Sequence, residues 1–135
     1  MVLQKDWKIL STGRYISMDY KEVYEQWLSN PYFDEATKEE LKNIAEDDNE
    51  IKERFYMDLE FGTAGLRGII GAGTNRMNIY VIRHATQAFA EVILAEGPEA
   101  AQKGVAVCFD CRNHSQEFAR ETACVLAANG IETYL

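Results

Sequence analysis

Proline is scarce: the 135 residues hold two. With 47% hydrophobic residues, that excludes a disordered or low-complexity chain and calls for a folded globule. Cysteine is also scarce, and its count of three is odd, so a secreted disulfide framework is not expected. Cys108, Cys111 and Cys124 sit in or beside apolar segments and read as reduced thiols of a cytoplasmic protein. No apolar run approaches the ~20 residues of a membrane span. The first ten residues lack the apolar core and small-residue cleavage site of a secretory signal. Positive charge is in deficit, with 14 Lys and Arg against 22 Asp and Glu, a formal net charge of −8. Nucleic-acid binding usually needs the opposite, a basic stripe. Neither a nucleic acid nor a membrane is therefore an expected partner. No internal repeat is evident, and the length fits one domain with a modest core.

What is there divides into three parts: 1–17, 18–58 and 59–135. Residues 1–17 show no period and read as a flexible leader, an alternative start or an expression remnant. Asp19 opens a first helix, with Glu22 as its capping-box partner and Val23, Trp27 and Tyr20 or Tyr24 on one face. Asn30-Pro31 ends it. Asp34 caps a second helix over 35–46, carrying Leu41, Ile44 and Ala45 as a narrow stripe, and 50–57 reads as a third around Ile51 and Phe55. These acid-rich helices read as a solvated appendage.

From residue 59 the pattern changes. Residues 66–70 can form a strand. Asn78 precedes a long helix whose packing face is Ile79, Ile82, Thr86, Phe89 and Ile93, stopped at Gly97-Pro98 and followed by an alanine-rich link. Residues 105–109 form a continuous apolar run, read as a strand buried on both faces. Asp110 to Ser115 turn into a helix capped by Asn113 or Ser115, with Phe118, Ala119, Thr122, Val125 and Leu126 facing inward. Asn129-Gly130 stops that helix, and a further strand begins at Ile131. Strand, helix, strand, helix, strand predicts an α/β fold. It is a three-layer α/β/α open sheet (βαβαβ, incomplete) behind a helical N-terminal extension, with ligands at the carboxyl ends of the strands.

Five of the nine glycines fall between Gly62 and Gly73, together with Arg67 and Arg76 nearby. Glycine backbone that can approach a ligand, joined to a guanidinium fork, makes a phosphate site. The same residues equally fit a glycine-rich hairpin with two surface arginines. Cys108-Phe-Asp-Cys111, with His114 beyond it, has the spacing of a redox pair or metal site. Yet Cys108 belongs to the apolar run and should point into packing, so no metal is assigned here. His84, on the long helix, reads as a surface or satisfied histidine.

Phe61-Gly-Thr-Ala-Gly-Leu-Arg-Gly68, followed by Gly71-Ala-Gly-Thr-Asn-Arg-Met-Asn78, resembles the N-terminal signature of the alpha-D-phosphohexomutases. These are the phosphoglucomutase/phosphomannomutase enzymes, here in the long branch that includes phosphopentomutase-like members. The likeness continues through Asp110-Cys-Arg112, Ser115, Phe118-Ala119 and Asn129-Gly130-Ile131, and upstream through Trp27-Leu28 and Phe33-Asp34-Glu35. It covers about 18–135.

The resemblance implies that Arg67 faces the catalytic phosphoserine and the phosphate of a bound sugar bisphosphate, where a bidentate fork stabilises transferring charge. Thr63 would donate its hydroxyl to the same phosphate, while Gly62, Gly65 and Gly68 let the backbone come close. Asn75 and Arg76 either line the same cleft or close the turn before the long helix. Asp110 and Arg112 match the pattern as an ion pair or cap, a direct substrate role being the lesser reading. The family's serine lies in a Ser-His-Asn-Pro loop and its magnesium in an Asp-x-Asp-x-Asp loop, and Leu135 precedes both. The expectation is thus the N-terminal part of the first domain of a mutase that interconverts sugar 1-phosphate and 6-phosphate (or 5-phosphate). Such an enzyme works through a phosphoserine and a bisphosphate intermediate, needs Mg2+ and a sugar bisphosphate activator, and has its remaining domains as partners. The part alone should be inactive. The rival expectation is a self-contained α/β module that binds a phosphorylated ligand or partner without catalysis.

Overall fold

The structure is a computed structural model that describes residues 19–63 and 65–135. The leader, 1–17, lies outside the described residues.

Three short helices come first: α1 (Tyr20–Ser29), α2 (Glu35–Lys42) and α3 (Asp48–Phe55). Each starts on an aspartate whose carboxylate accepts from a backbone N–H that the first turn leaves unpaired. Asp19 takes Lys21 N–H, Asp34 takes Thr37 N–H and Asp47 takes Glu50 N–H. The second helix stops at Lys42, earlier than its expected end at residue 46, and Asp47 re-caps the chain as α3.

These helices are more than the solvated appendage that their acid content suggested. Tyr24, Trp27, Leu41, Ile51 and Phe55 are buried together with Ala72 and Tyr80 from the chain beyond. Trp27 is the centre: it stacks on Phe33 at 4.1 Å and meets Phe55 and Tyr80 edge-on at 5.6 and 5.7 Å, arrangements favoured by the ring quadrupoles. The Tyr80 hydroxyl donates to Asp34 Oδ2 at 2.7 Å and accepts from Asp34 N–H at 2.8 Å. The Thr37 N–H and then the Tyr80 hydroxyl hold the Asp34 carboxyl below its ordinary pKa. The acid therefore lies outward while one apolar stripe per helix is used.

The remaining elements are β1 (Phe61–Gly62), β2 (Gly65–Leu66), α4 (Ile79–Ala95), α5 (Pro98–Lys103), β3 (Val105–Ala106), α6 (Ser115–Ala128) and β4 (Thr133–Tyr134). β3 and β4 pair in parallel, Val105 opposite Thr133 and Ala106 opposite Tyr134, with α6 as the crossover. Below the pair lies a second core of Ala90, Ala101, Leu126 and Ile131. α4 belongs to both cores, through Tyr80 at its start and Ala90 further on, and at about 25 Å it is long enough to tie them together. An Arg83–Glu121 ion pair of 2.6 Å fastens α4 to α6. No helix among the described residues is long and apolar enough to cross a membrane.

The fold is α/β with a helical leading portion, as the element order predicts, but several local expectations change. Residues 66–70 do not form a full strand. Only Gly65–Leu66 pairs, antiparallel to Phe61–Gly62, and Ile70 makes a lone parallel bridge to Met77. The β1–β2 pair and the β3–β4 pair are separate two-stranded sheets. The 105–109 run is not buried on both faces: Val105 and Val107 are half-buried, whereas Ala106, Cys108 and Phe109 are exposed. Valine content identifies a strand but not how many of its faces are covered.

On α4 the expected face holds in part: Thr86 is buried and Ile79 and Ile93 pack against the two cores, but Tyr80 and Ala90 are buried beside them and Phe89 is left 49% exposed. Arg83, Gln87 and Glu91 mark the polar side of this helix at i, i+4 spacing, and the apolar arc opposite is wide enough for Tyr80 and Ala90 to share the packing. The alanine-rich link is the helix α5, begun by Pro98 in the first turn that suits it. α6 is preceded by His114 in the left-handed region at φ 62°, rather than capped by Asn113 or Ser115.

The cysteines follow from the open strand face. All three are exposed, including Cys108, which the apolar run had suggested would be inaccessible. In the native chain, all three thiols are expected to react with a small disulfide reagent within one fast phase. A protected Cys108 in that titration would mean that its strand is covered after all.

Candidate functional site

The glycine-rich stretch is held from behind by α3. Ala72 N–H donates to Glu40 Oε1 at 3.1 Å, and Arg54, ion-paired with Glu40 and Glu50, donates to the Ala72 carbonyl. Asn75 N–H donates to the Arg54 carbonyl at 2.9 Å, and the Thr74 hydroxyl to the Met57 carbonyl at 2.8 Å. Asn78 caps α4 through Val81 N–H and also donates to the carbonyls of Gly71 and Gly73. Gly73 has φ 131°, and a Cβ there would lie 2.8 Å from the Arg54 carbonyl oxygen. Only glycine lets the loop come this close to the end of α3.

This packing separates the two arginines of the stretch. Arg76 is buried, 4% exposed, and ion-paired with Glu50 and Glu53. Its hydrogen bonding lowers the Glu53 pKa. The Asn75 side-chain amide donates to the Glu53 carbonyl. Both residues thus hold the loop against α3, and neither is among the residues that line the cavity with Arg67. Arg67 is exposed and has no hydrogen bond or ion pair among the described residues, although the chain carries 22 carboxylates.

Arg67 lines a cavity of about 650 Å3, of the size that small-molecule sites occupy. Leu66, Gly68, Ile70 and Met77 form one side with it. The other side is the turn after β3, contributing Arg112, Asn113 and Ser115, with Phe118 at the base. No acidic side chain lines this cavity among the described residues. Gly62, Thr63 and Gly65 lie beside it in the β1–β2 hairpin rather than on its wall, with Thr63 exposed. In the opposing turn, Asp110 accepts from Arg112 N–H at 3.0 Å and from Arg112 Nε at 2.8 Å. The Asp110 N–H donates to the Ser115 hydroxyl oxygen at 3.1 Å. The Arg112 backbone bond is the largest of the influences holding the Asp110 carboxyl below its ordinary pKa.

This turn is the part of the site that residue types alone underrated. The available signal was its place at the carboxyl end of a parallel strand, where open α/β sheets bind ligands. His114 does not join Cys108 and Cys111: its Nδ1 lies 2.6 Å from Glu117 Oε2. Among the described residues, no three His, Cys, Asp or Glu side chains gather to hold a metal ion. His84 is exposed on α4, outside the cavity.

A family model described as phosphoglucomutase/phosphomannomutase, alpha/beta/alpha domain I, matches residues 58–135. The chain belongs to the phosphoglucomutase/phosphomannomutase family. The match begins just before the hairpin that carries Arg67 and takes in both walls of its cavity. Among relatives, the chain is 40% identical over 116 residues to a probable phosphoribomutase of Schizosaccharomyces pombe, covering 84% of this chain and 20% of that protein. It is 36% identical over 107 residues to the phosphopentomutase of Homo sapiens, covering 73% and 18% respectively. Against the human glucose 1,6-bisphosphate synthase, identity is 31% over 118 residues, covering 82% and 18%. The chain therefore spans about a fifth of the length of these phosphoglucomutase/phosphomannomutase relatives. No solved structure matches it.

Proposed function

We propose that this chain is the leading part of the first domain of a phosphosugar mutase. The whole protein moves a phosphoryl group between the 1-oxygen and the terminal 5- or 6-oxygen of a sugar phosphate, through a phosphoserine and a bisphosphate intermediate. The observation that carries the reading is Arg67: a guanidinium with no ion pair among the described residues, on a cavity wall to which no described carboxylate contributes. In an acid-rich chain, a cation kept free of its own carboxylates is available to a ligand anion. Its planar fork grips two non-bridging oxygens of a phosphoryl group and holds the charge that spreads over them during transfer. Thr63, Gly62 and Gly65, on the adjoining hairpin, would offer a hydroxyl and close backbone to the same group.

Magnesium and a bisphosphate activator belong to this proposal as requirements of the whole protein. The described residues hold no ligand set for the metal, so no step here runs through it. Cytoplasmic location and contact with the remaining mutase domains are likewise part of the proposal. The names of the relatives favour testing a pentose phosphate beside a hexose phosphate.

The test is an assay of the whole protein with ribose 1-phosphate and glucose 1-phosphate, magnesium and the matching bisphosphate. Turnover of either sugar is expected. Phosphate binding with no turnover of either would support the self-contained binding module instead. The isolated 135-residue chain is expected to give no turnover under the same conditions, because it supplies an anion grip without the serine or metal loop. Activity above a blank, in material free of host mutase, would refute that expectation.

A further inference from the structure

Arg112 stands across the cavity from Arg67, and its surroundings resemble a held position more than a buried brace. Its side chain is 84% exposed, so the pair with Asp110 has no buried geometry to stabilise. Asp110 engages the guanidinium at Nε, with Oδ2 at 2.8 Å, and both Nη groups are left outside that contact. The Asp110 carboxylate itself is absent from the cavity wall, whereas Arg112 is on it. Among the described residues the wall therefore carries two guanidinium groups and no acid, in a chain of net charge −8.

We propose that Arg112 is a second arm of the anion site, parked on Asp110 when the cavity is empty and released to the phosphate when it is filled. The proposal rests on the reading of Arg67 as a phosphate ligand and adds a residue to it. A phosphate dianion presents more acceptor oxygens than one arginine fork can use, and a second fork from the opposite wall takes those left over. Asp110 then acts as an internal competitor: its single charge holds the arm near the cavity, and the incoming dianion outbids it. The Arg112 N–H to Asp110 Oδ1 bond keeps the turn shaped while the side chain moves.

This arrangement makes a signed prediction that a bracing ion pair does not. Inorganic phosphate is titrated into the chain at low ionic strength, with chloride at matched ionic strength as control. Amide and arginine Nε–H signals are followed by NMR, and circular dichroism checks that each variant is folded. Arg112→Gln is expected to weaken phosphate binding on the order of fivefold, and Arg112→Lys by less. Asp110→Asn, which keeps the turn's acceptor but removes the competing charge, is expected to strengthen binding by about twofold to fivefold. The double variant should bind as weakly as Arg112→Gln.

Equal weakening by Asp110→Asn and Arg112→Gln would overturn the proposal, since a brace loses the same pair from either end. A double variant that keeps the Asp110→Asn gain would overturn it too, because Asp110 would then act by its field rather than through Arg112. If Arg112→Gln binds like the unaltered chain while Arg67→Gln abolishes binding, only the second arm falls. If the unaltered chain shows no phosphate response beyond chloride, the Arg67 reading falls with it.

Discussion

Replacing Arg67 with lysine is expected to lower kcat/KM of the whole protein on the order of 100-fold, with its thermal midpoint nearly unchanged. The two halves of this result have separate causes. Arg67 is exposed and free of any ion pair among the described residues, so the folded state loses little when its fork is removed. The transition state loses more, because an ammonium is a point charge and cannot make two parallel bonds to the oxygens of a moving phosphoryl group. Deleting one well-aimed donor from a site of developing negative charge costs roughly 100- to 1,000-fold in rate. Steady-state kinetics on the purified variant, alongside a melting curve, checks both halves. Unaltered kinetics would make Arg67 a surface residue. A large fall in the melting midpoint would make it a structural one.

Trp27→Ala is expected to have the largest effect on stability, about 3–5 kcal/mol, the usual cost of deleting a large buried ring. Trp27 is 7% exposed and touches Phe33, Phe55 and Tyr80, so the cavity left behind opens onto α3, α4 and the turn before α2 at once. Domains of this size have total stabilities of only about 5–15 kcal/mol. The loss should therefore loosen residues 19–55 well before the pair β3–β4. Because α3 holds the 71–78 loop through Arg54, Glu50 and Glu53, phosphate binding at Arg67 should weaken with it. Urea melts followed by circular dichroism give the magnitude. A shift worth less than about 1 kcal/mol would mean that the leading helices are not structurally coupled to the loop.

The same α3 contacts explain why Arg67 and Arg76 could not be told apart beforehand. They stand nine positions apart in one motif, and both are arginines among glycines. What distinguishes them is that Glu50 and Glu53, more than twenty residues earlier, come to rest beside Arg76, whereas Arg67 has no ion pair among the described residues. Cys108 misled for a related reason. An apolar run records what a strand can bury, and the number of layers that cover it depends on which other elements arrive.

The sequence by itself determined the caps of the first, second and fourth helices, the α/β order and the family, because these rest on neighbouring residues, while the cap of α6, the end of α2 and the helix α5 escaped it. Asp34 caps α2, Asn78 caps α4 and Gly130 takes φ 75° after α6, all from interactions within a few residues. The glycine motif and Asp110-Cys-Arg112 are likewise contiguous words. Only the tertiary structure decided which arginine is left unpaired among the described residues, that Phe89 stays outside the packing of α4, and that the Arg67 and Arg112 walls line one open cavity to which no described carboxylate contributes. Those facts depend on side chains far apart in the chain competing for the same partner or the same space, and local pattern carries no information about the outcome of that competition.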